Sequence, residues 1–119
     1  MRYYLKPPRV YSITARYGSC LLCSKPLVGK QAIYLSDMGA VVCDSHSFYL
    51  VLQEFDNGYM REFTVVDTAY TQDEAEKKAS ELNKSHMINR GQSLSFNSYT
   101  YMHISEALQM RPRTGLVEE

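Results

Sequence analysis

All three cysteines of this 119-residue chain, and one of its three histidines, fall within Cys20–His46, CLLCSKPLVGKQAIYLSDMGAVVCDSH. They read Cys20-x-x-Cys23, a spacer of nineteen residues, then Cys43-x-x-His46. Two ligands separated by two residues can reach one ion from a single tight turn, and two such turns complete a tetrahedron of sulfur and nitrogen. The spacer leaves room for a hairpin between the turns. The residues after the first pair, SKPLVG, are small and turn-prone. The pattern predicts one zinc ion (Zn2+) held by Cys20, Cys23, Cys43 and His46 and required for folding. Two other readings stand beside it. A redox Cys-x-x-Cys pair needs a helix N-terminus to lower a thiol pKa, whereas CLLCSKPL contains a proline and no helical pattern. Buried cysteines without a ligand behave as small hydrophobes.

Residues 16–47 resemble the zinc-ribbon and treble-clef modules, which share paired knuckles around a hairpin. The resemblance implies a structural ion with four protein ligands, and it carries no particular function. In a treble clef the second knuckle opens a helix, whereas in a ribbon a strand follows, so residues 45–56 decide between the two.

The rest of the chain divides around that motif. The first nineteen residues read as extended, since Pro7-Pro8 excludes a helix interior and RVYSITARY is rich in β-branched and aromatic residues. Between the knuckles, QAIYLSD and AVV flank a turn expected near Asp37–Gly39. Two readings fit the next segment. Strands at 48–55 and 60–68 would be joined at Asp56-Asn57-Gly58, a strong hairpin signal. A helix at 45–56 would place Phe48, Val51, Leu52 and Phe55 on one face. The tyrosine, valine and phenylalanine content favours the hairpin. A helix over about 72–84 is clearer, with a capping box at Thr71 and Glu74 and pairs Asp73–Lys77 and Glu74–Lys78 one turn apart. Its apolar face is thin, Ala75, Ala79 and Leu82. A strand is expected at 97–104. The expected fold is thus α+β: a ribbon-like zinc module at 1–47, a ββαβ unit at 48–104 and a tail at 105–119 that orders against a partner. The two units should share a core, because neither is large enough to be comfortable alone.

Composition limits function. Apolar residues make up 45% of the chain, too many for a disordered one. No apolar run reaches bilayer length, and MRYYLKPPRV lacks the apolar stretch of a signal peptide, so a cytoplasmic protein with reduced thiols and no membrane is expected. Residues 1–47 carry six Lys/Arg against two acids and residues 48–119 seven against eleven, which is a mild asymmetry rather than a polybasic arm. A catalytic zinc keeps an open position beside a general base, but here four protein ligands fill the site. His86 and His103 lack a catalytic companion at a telling spacing, and no glycine-rich phosphate loop or small-molecule site is indicated. The expectation is a non-enzymatic adaptor or regulator acting through a protein partner. The alternative is a nucleic-acid-binding zinc protein using Arg2, Lys6, Arg9, Tyr11, Arg16, Lys25 and Lys30, where basic and aromatic residues interleave. Alternating Tyr and Arg also marks any strand with one wet face, and a sequence pI of 6.8 is low for a dedicated nucleic-acid binder.

Overall fold

The computed structural model describes residues 2–56, 59–90, 97–110 and 113–116. The fold is α+β, with two sheets and one long helix. In chain order the elements are β1 (Arg2–Lys6), β2 (Val10–Thr14), β3 (Gln31–Leu35), β4 (Ala40–Cys43), β5 (Tyr49–Asp56), β6 (Met60–Ala69), α1 (Gln72–Arg90), β7 (Asn97–His103), α2 (Ile104–Gln109) and β8 (Arg113–Leu116). β2, β3 and β4 form a small antiparallel sheet, and the other strands form a sheet in the order β7-β5-β6-β1-β8.

Residues 48–68 adopt the hairpin. β5 and β6 pair antiparallel from Tyr49 opposite Ala69 to Asp56 opposite Arg61. The expected turn at Asn57-Gly58 lies outside the described residues. Leu50, Val51 and Leu52 are buried in succession, as befits a central strand covered on both faces. Because side chains alternate along a strand, Leu50 and Leu52 point into one apolar cluster while Tyr49 and Val51 point into another. The first cluster joins the five-stranded sheet to the small one, where Val10, Ile33, Leu35 and Val42 meet Phe48, Leu50, Leu52, Phe63 and Val65. The second lies under α1, whose Ala75 and Ala79 bury their methyl groups against Val51 and Ala69, with Leu82 half-buried beside them. Small residues there let the helix lie close on the sheet.

α1 begins where its cap predicts. Thr71 Oγ1 accepts the Glu74 N–H at 3.1 Å, while the Glu74 carboxylate reaches one residue further back than a capping box requires and accepts from Tyr70 N–H at 3.3 Å. Lys78 lies 3.5 Å from Glu74 and 3.4 Å from Asp67, and donates to the Thr68 carbonyl. The helix runs to Arg90, beyond the expected end near 84.

The C-terminal segment differs from the expected tail. Residues 104–109 form α2, which buries Ile104 and Ala107 in the shared cluster. β8 pairs with β1, from Arg2 opposite Leu116 to Leu5 opposite Arg113. A six-residue helix is too short to show periodicity, and β8 is fixed by the otherwise open edge of β1 rather than by its own pattern. The first unit is likewise not closed on itself. β1 leaves residues 1–47 to pair in parallel with β6 over Met60–Glu62.

Candidate metal centre

The first knuckle is built by backbone geometry. Cys20 N–H donates to the Lys25 carbonyl and Ser24 N–H to the Cys20 carbonyl, both at 2.8 Å, which folds Cys20-Leu21-Leu22-Cys23 into a tight loop. Ser24 leaves it in the left-handed region at φ 63. The loop is tied to β4 by Leu21 N–H donating to Val41 O at 2.8 Å. Gly18, at φ 102, precedes it, and a β-carbon there would lie 3.3 Å from the Val41 side chain. The second knuckle follows β4 directly, with His46 N–H donating to Cys43 O. Between them, β3 and β4 turn through a short 3-10 segment, Ser36–Met38, closed by Gly39 in the left-handed conformation at φ 62. The hairpin thus turns where the sequence places it. After His46 the chain enters β5, so a strand and not a helix follows the second knuckle.

These turns bring all four expected ligands together. One ligand atom from each of Cys20, Cys23, Cys43 and His46 lies within 4.8 Å of every other. The Cys23 and Cys43 sulfurs are 3.6 Å apart, far beyond a disulfide bond and close to the roughly 3.8 Å separating two thiolates that share a tetrahedral ion. Cys20 and Cys43 are buried and Cys23 is exposed. The donor set also leaves a mark on the histidine. His46 Nε2 is buried and has no hydrogen-bond partner among the described residues, a costly arrangement for a ring nitrogen unless an ion takes its lone pair. The residues present therefore fit a metal ion.

The electrostatics of the sulfurs differ. Burial pushes the Cys20 thiol up, but the backbone N–H groups of Cys43, Cys23 and Leu22, with the Cys23 side chain, outweigh it and lower the pKa from 9.0 to about 6. Two of these donors are visible as Leu22 N–H and Cys43 N–H, each 3.4 Å from Cys20 Sγ. At Cys43, burial and the neighbouring Cys20 and Cys23 sulfurs push the thiol up to about 11. Without metal, the centre thus holds one preformed thiolate at neutral pH beside a thiol that must surrender its proton on binding.

The basic and aromatic candidates are not brought together in the same way. Arg2 lies on β1 of the five-stranded sheet, as does Lys6, whose ammonium sits 5.8 Å from the centroid of the Tyr4 ring. Tyr11 is exposed on β2, and Arg9, Arg16, Lys25 and Lys30 are exposed in the loops around the small sheet. His103 lies at the junction of β7 and α2, hydrogen-bonded through both ring nitrogens. Its Nε2 is 2.8 Å from Ser47 Oγ, and its Nδ1 accepts the Ser105 N–H at 3.1 Å. Nδ1 also lies 2.7 Å from Ser105 Oγ, so both ring nitrogens are engaged by neighbouring serines. The residue caps α2.

Two long-range links of this half of the chain carried no sequence signal. Tyr70 donates its hydroxyl to the Leu22 carbonyl at 2.6 Å, tying the first knuckle to the start of α1. Asp37 accepts the Val65 N–H at 2.9 Å, tying the hairpin tip to β6. Both links join residues distant in the chain, so local pattern does not announce them. Among the described residues no helix is long and apolar enough to cross a membrane. Comparison with known protein families, with curated proteins and with solved structures finds no match to this chain.

Proposed function

We propose that the chain is a small, non-catalytic zinc-binding adaptor or regulator that acts through contact with another protein. The observation that carries this reading is the convergence of four ligands, with a buried and unpartnered His46 Nε2 among them. Three sulfurs and one imidazole suit zinc better than a hard cation. Four protein ligands fill a tetrahedral shell and leave no open position for substrate, so the ion organises rather than reacts. The strand after the second knuckle supports a ribbon-like module over the treble clef. Three free thiols fit a reducing cytoplasm.

A protein partner is favoured over nucleic acid because the basic candidates are divided, Arg2 and Lys6 lying on β1 of the large sheet and Arg9, Arg16, Lys25 and Lys30 in loops around the small one. The electrostatic part of nucleic-acid binding grows with the number of phosphates neutralised. The test is affinity purification of the zinc-loaded protein from its native cell, paired with oligonucleotide titrations at low and high salt. A stoichiometric protein partner with no oligonucleotide binding at low salt supports the adaptor. Salt-steep association with DNA or RNA, abolished by Arg9→Glu with Arg16→Glu, overturns it.

A further inference from the structure

The outer face of the small sheet is divided in two by the first knuckle. Side chains opposite one another in an antiparallel ladder share a face, which places Tyr11, Tyr34 and Val41 in one row and Ile13, Ala32 and Cys43 in the next. Ala32 and Cys43 are buried. The remainder of that face opens into a groove of about 690 Å³ between the sheet and the loop leading into Cys20. Its lining includes Ile13, Tyr34 and Val41 from the sheet and Arg16, Tyr17 and Leu21 from the loop.

We infer that this groove docks a short peptide segment of a partner protein, one presenting an aliphatic or aromatic side chain with an Asp or Glu carboxylate beside it. The inference rests on the adaptor reading above and gives it a place and a partner chemistry. Among the described residues of the lining, Arg16 is the one charged side chain, and no carboxylate accompanies it there. Among the described residues Arg16 forms no ion pair. An apolar floor with a single cation at its wall complements an apolar residue flanked by an acid. The rim is exposed: Tyr17 retains 81% of its accessible surface and Leu21 45%. A small-molecule site encloses most of its ligand, whereas exposed tyrosine and arginine around an apolar centre are the anchors of protein interfaces. A lone cation also gives nucleic acid little phosphate neutralisation.

The metal centre builds one wall of this groove. Leu21 lies between the ligands Cys20 and Cys23, and its N–H is bonded to Val41 across the groove's floor. Zinc is therefore required for docking although the peptide does not touch it.

Selection of random displayed peptides on the zinc-loaded full chain tests the inference, followed by fluorescence anisotropy of the enriched peptide with the wild type, Arg16→Glu and Tyr17→Ala. Zinc content and thermal midpoint are measured on each variant, since both side chains are exposed and neither is a ligand. The expected consensus joins an acidic residue to an apolar one. Arg16→Glu should weaken binding by roughly tenfold or more and Tyr17→Ala by several-fold, with zinc content unchanged, and the peptide should shift amide resonances at 13–21 and 39–41. A basic consensus, no enriched peptide, equal affinity for Arg16→Glu, or displacement of the peptide by a short oligothymidine overturns the inference. Cross-linking a co-purified partner separates the two levels of argument. A partner linked only to other surfaces removes the groove and leaves the adaptor, whereas the absence of any protein partner removes both.

Discussion

The two sheets of this protein differ in strand length and in how much of each is buried. The strands of the small sheet are five, five and four residues long, while β5, β6 and β7 have eight, ten and seven. The longer strands are sandwiched between two apolar clusters, one shared with the small sheet and one under α1. The small sheet buries only one face and part of the other, and its open end carries a groove. On the proposed reading, four ligands drawn from two turns make up for that smaller burial. The difference teaches where a metal ion would matter most: the small sheet has one apolar cluster to hold it, whereas the longer strands have two.

The sharpest way to break that comparison is to remove the ion. Structural zinc contributes about 10–16 kcal/mol in small modules, comparable with the whole stability of a domain, about 5–15 kcal/mol. Chelation, or Cys20→Ala, should melt the small sheet and lower the thermal midpoint of the entire chain, because the first cluster is shared. Cys20→Ala also strips the acceptor from the Leu22 and Cys43 N–H groups. Elemental analysis should find about one zinc per chain in the wild type and none in the variant. Unchanged melting in chelator would mean that burial alone orders both sheets. Acidity should act in the same sense. Metal binding requires thiolates, and the Cys43 proton, with its pKa near 11, must be displaced at any neutral pH. Zinc affinity should therefore fall about tenfold for each unit of pH lost on account of Cys43. It should fall more steeply below about 6, where Cys20 also takes up a proton. A competition assay with a zinc indicator across that range measures the slope.

The next largest effect is expected at the junction. Phe48 is fully buried between the second knuckle and β5, and its carbonyl accepts from Ile104 N–H at 3.0 Å. Phe48→Ala should cost about 3–5 kcal/mol through lost burial and a residual cavity. Denaturant unfolding of the zinc-loaded variant gives the value. A loss under 1 kcal/mol would show that the two sheets are coupled by the ion and not by their common core.

A smaller effect should come from Asp37, which bridges the sheets by a hydrogen bond. β1 accompanies β6 only over Met60–Glu62, and further along the same edge the Val65 N–H turns to the Asp37 carboxylate instead. Asp37→Ala leaves that donor without its acceptor and should cost about 1–3 kcal/mol. Faster hydrogen exchange at Val65 in the variant would report the loss directly, while unaltered exchange would discount the bridge.

How much of this was legible in the sequence follows the range of each interaction. The clustering of Cys20, Cys23, Cys43 and His46, the hairpin at Asp37–Gly39 and the cap at Thr71 are written in short sequence patterns, and the structure brings those residues together as read. The hairpin of β5 and β6 was legible from Val, Tyr and Phe, but the competing helix was excluded only by the burial of Leu50, Val51 and Leu52 on opposite faces. α2 and β8 were missed for a different reason. Ile104 and Ala107 are too few to show a period, and β8 owes its place to the edge of β1, more than a hundred residues earlier in the chain. The outer groove was illegible as well. Arg16 stands among the basic and aromatic candidates and Tyr17 follows it, but nothing local joins them to Tyr34 and Val41.

The finest distinction between the two halves lies in Ser24. It is the one non-glycine residue with positive φ among the described residues, and it sits where the first knuckle must reverse for Lys25 to accept from Cys20. A β-carbon in the left-handed region costs about 1–2 kcal/mol, whereas glycine enters it freely but gives up more freedom on folding, about 0.5–1 kcal/mol. Ser24→Gly should therefore raise the stability of the zinc-loaded protein by up to about 1 kcal/mol, and Ser24→Val should lower it by a similar amount, since β-branching aggravates the same strain. Neither change touches a ligand, so the zinc stoichiometry should hold while the melting temperature moves in opposite directions. The strain is borne where the loop closes, with Ser24 N–H donating to the Cys20 carbonyl and Cys20 N–H to the Lys25 carbonyl. A stabilising Ser24→Val would place this residue outside the left-handed region and unmake the knuckle geometry on which both the centre and the groove depend.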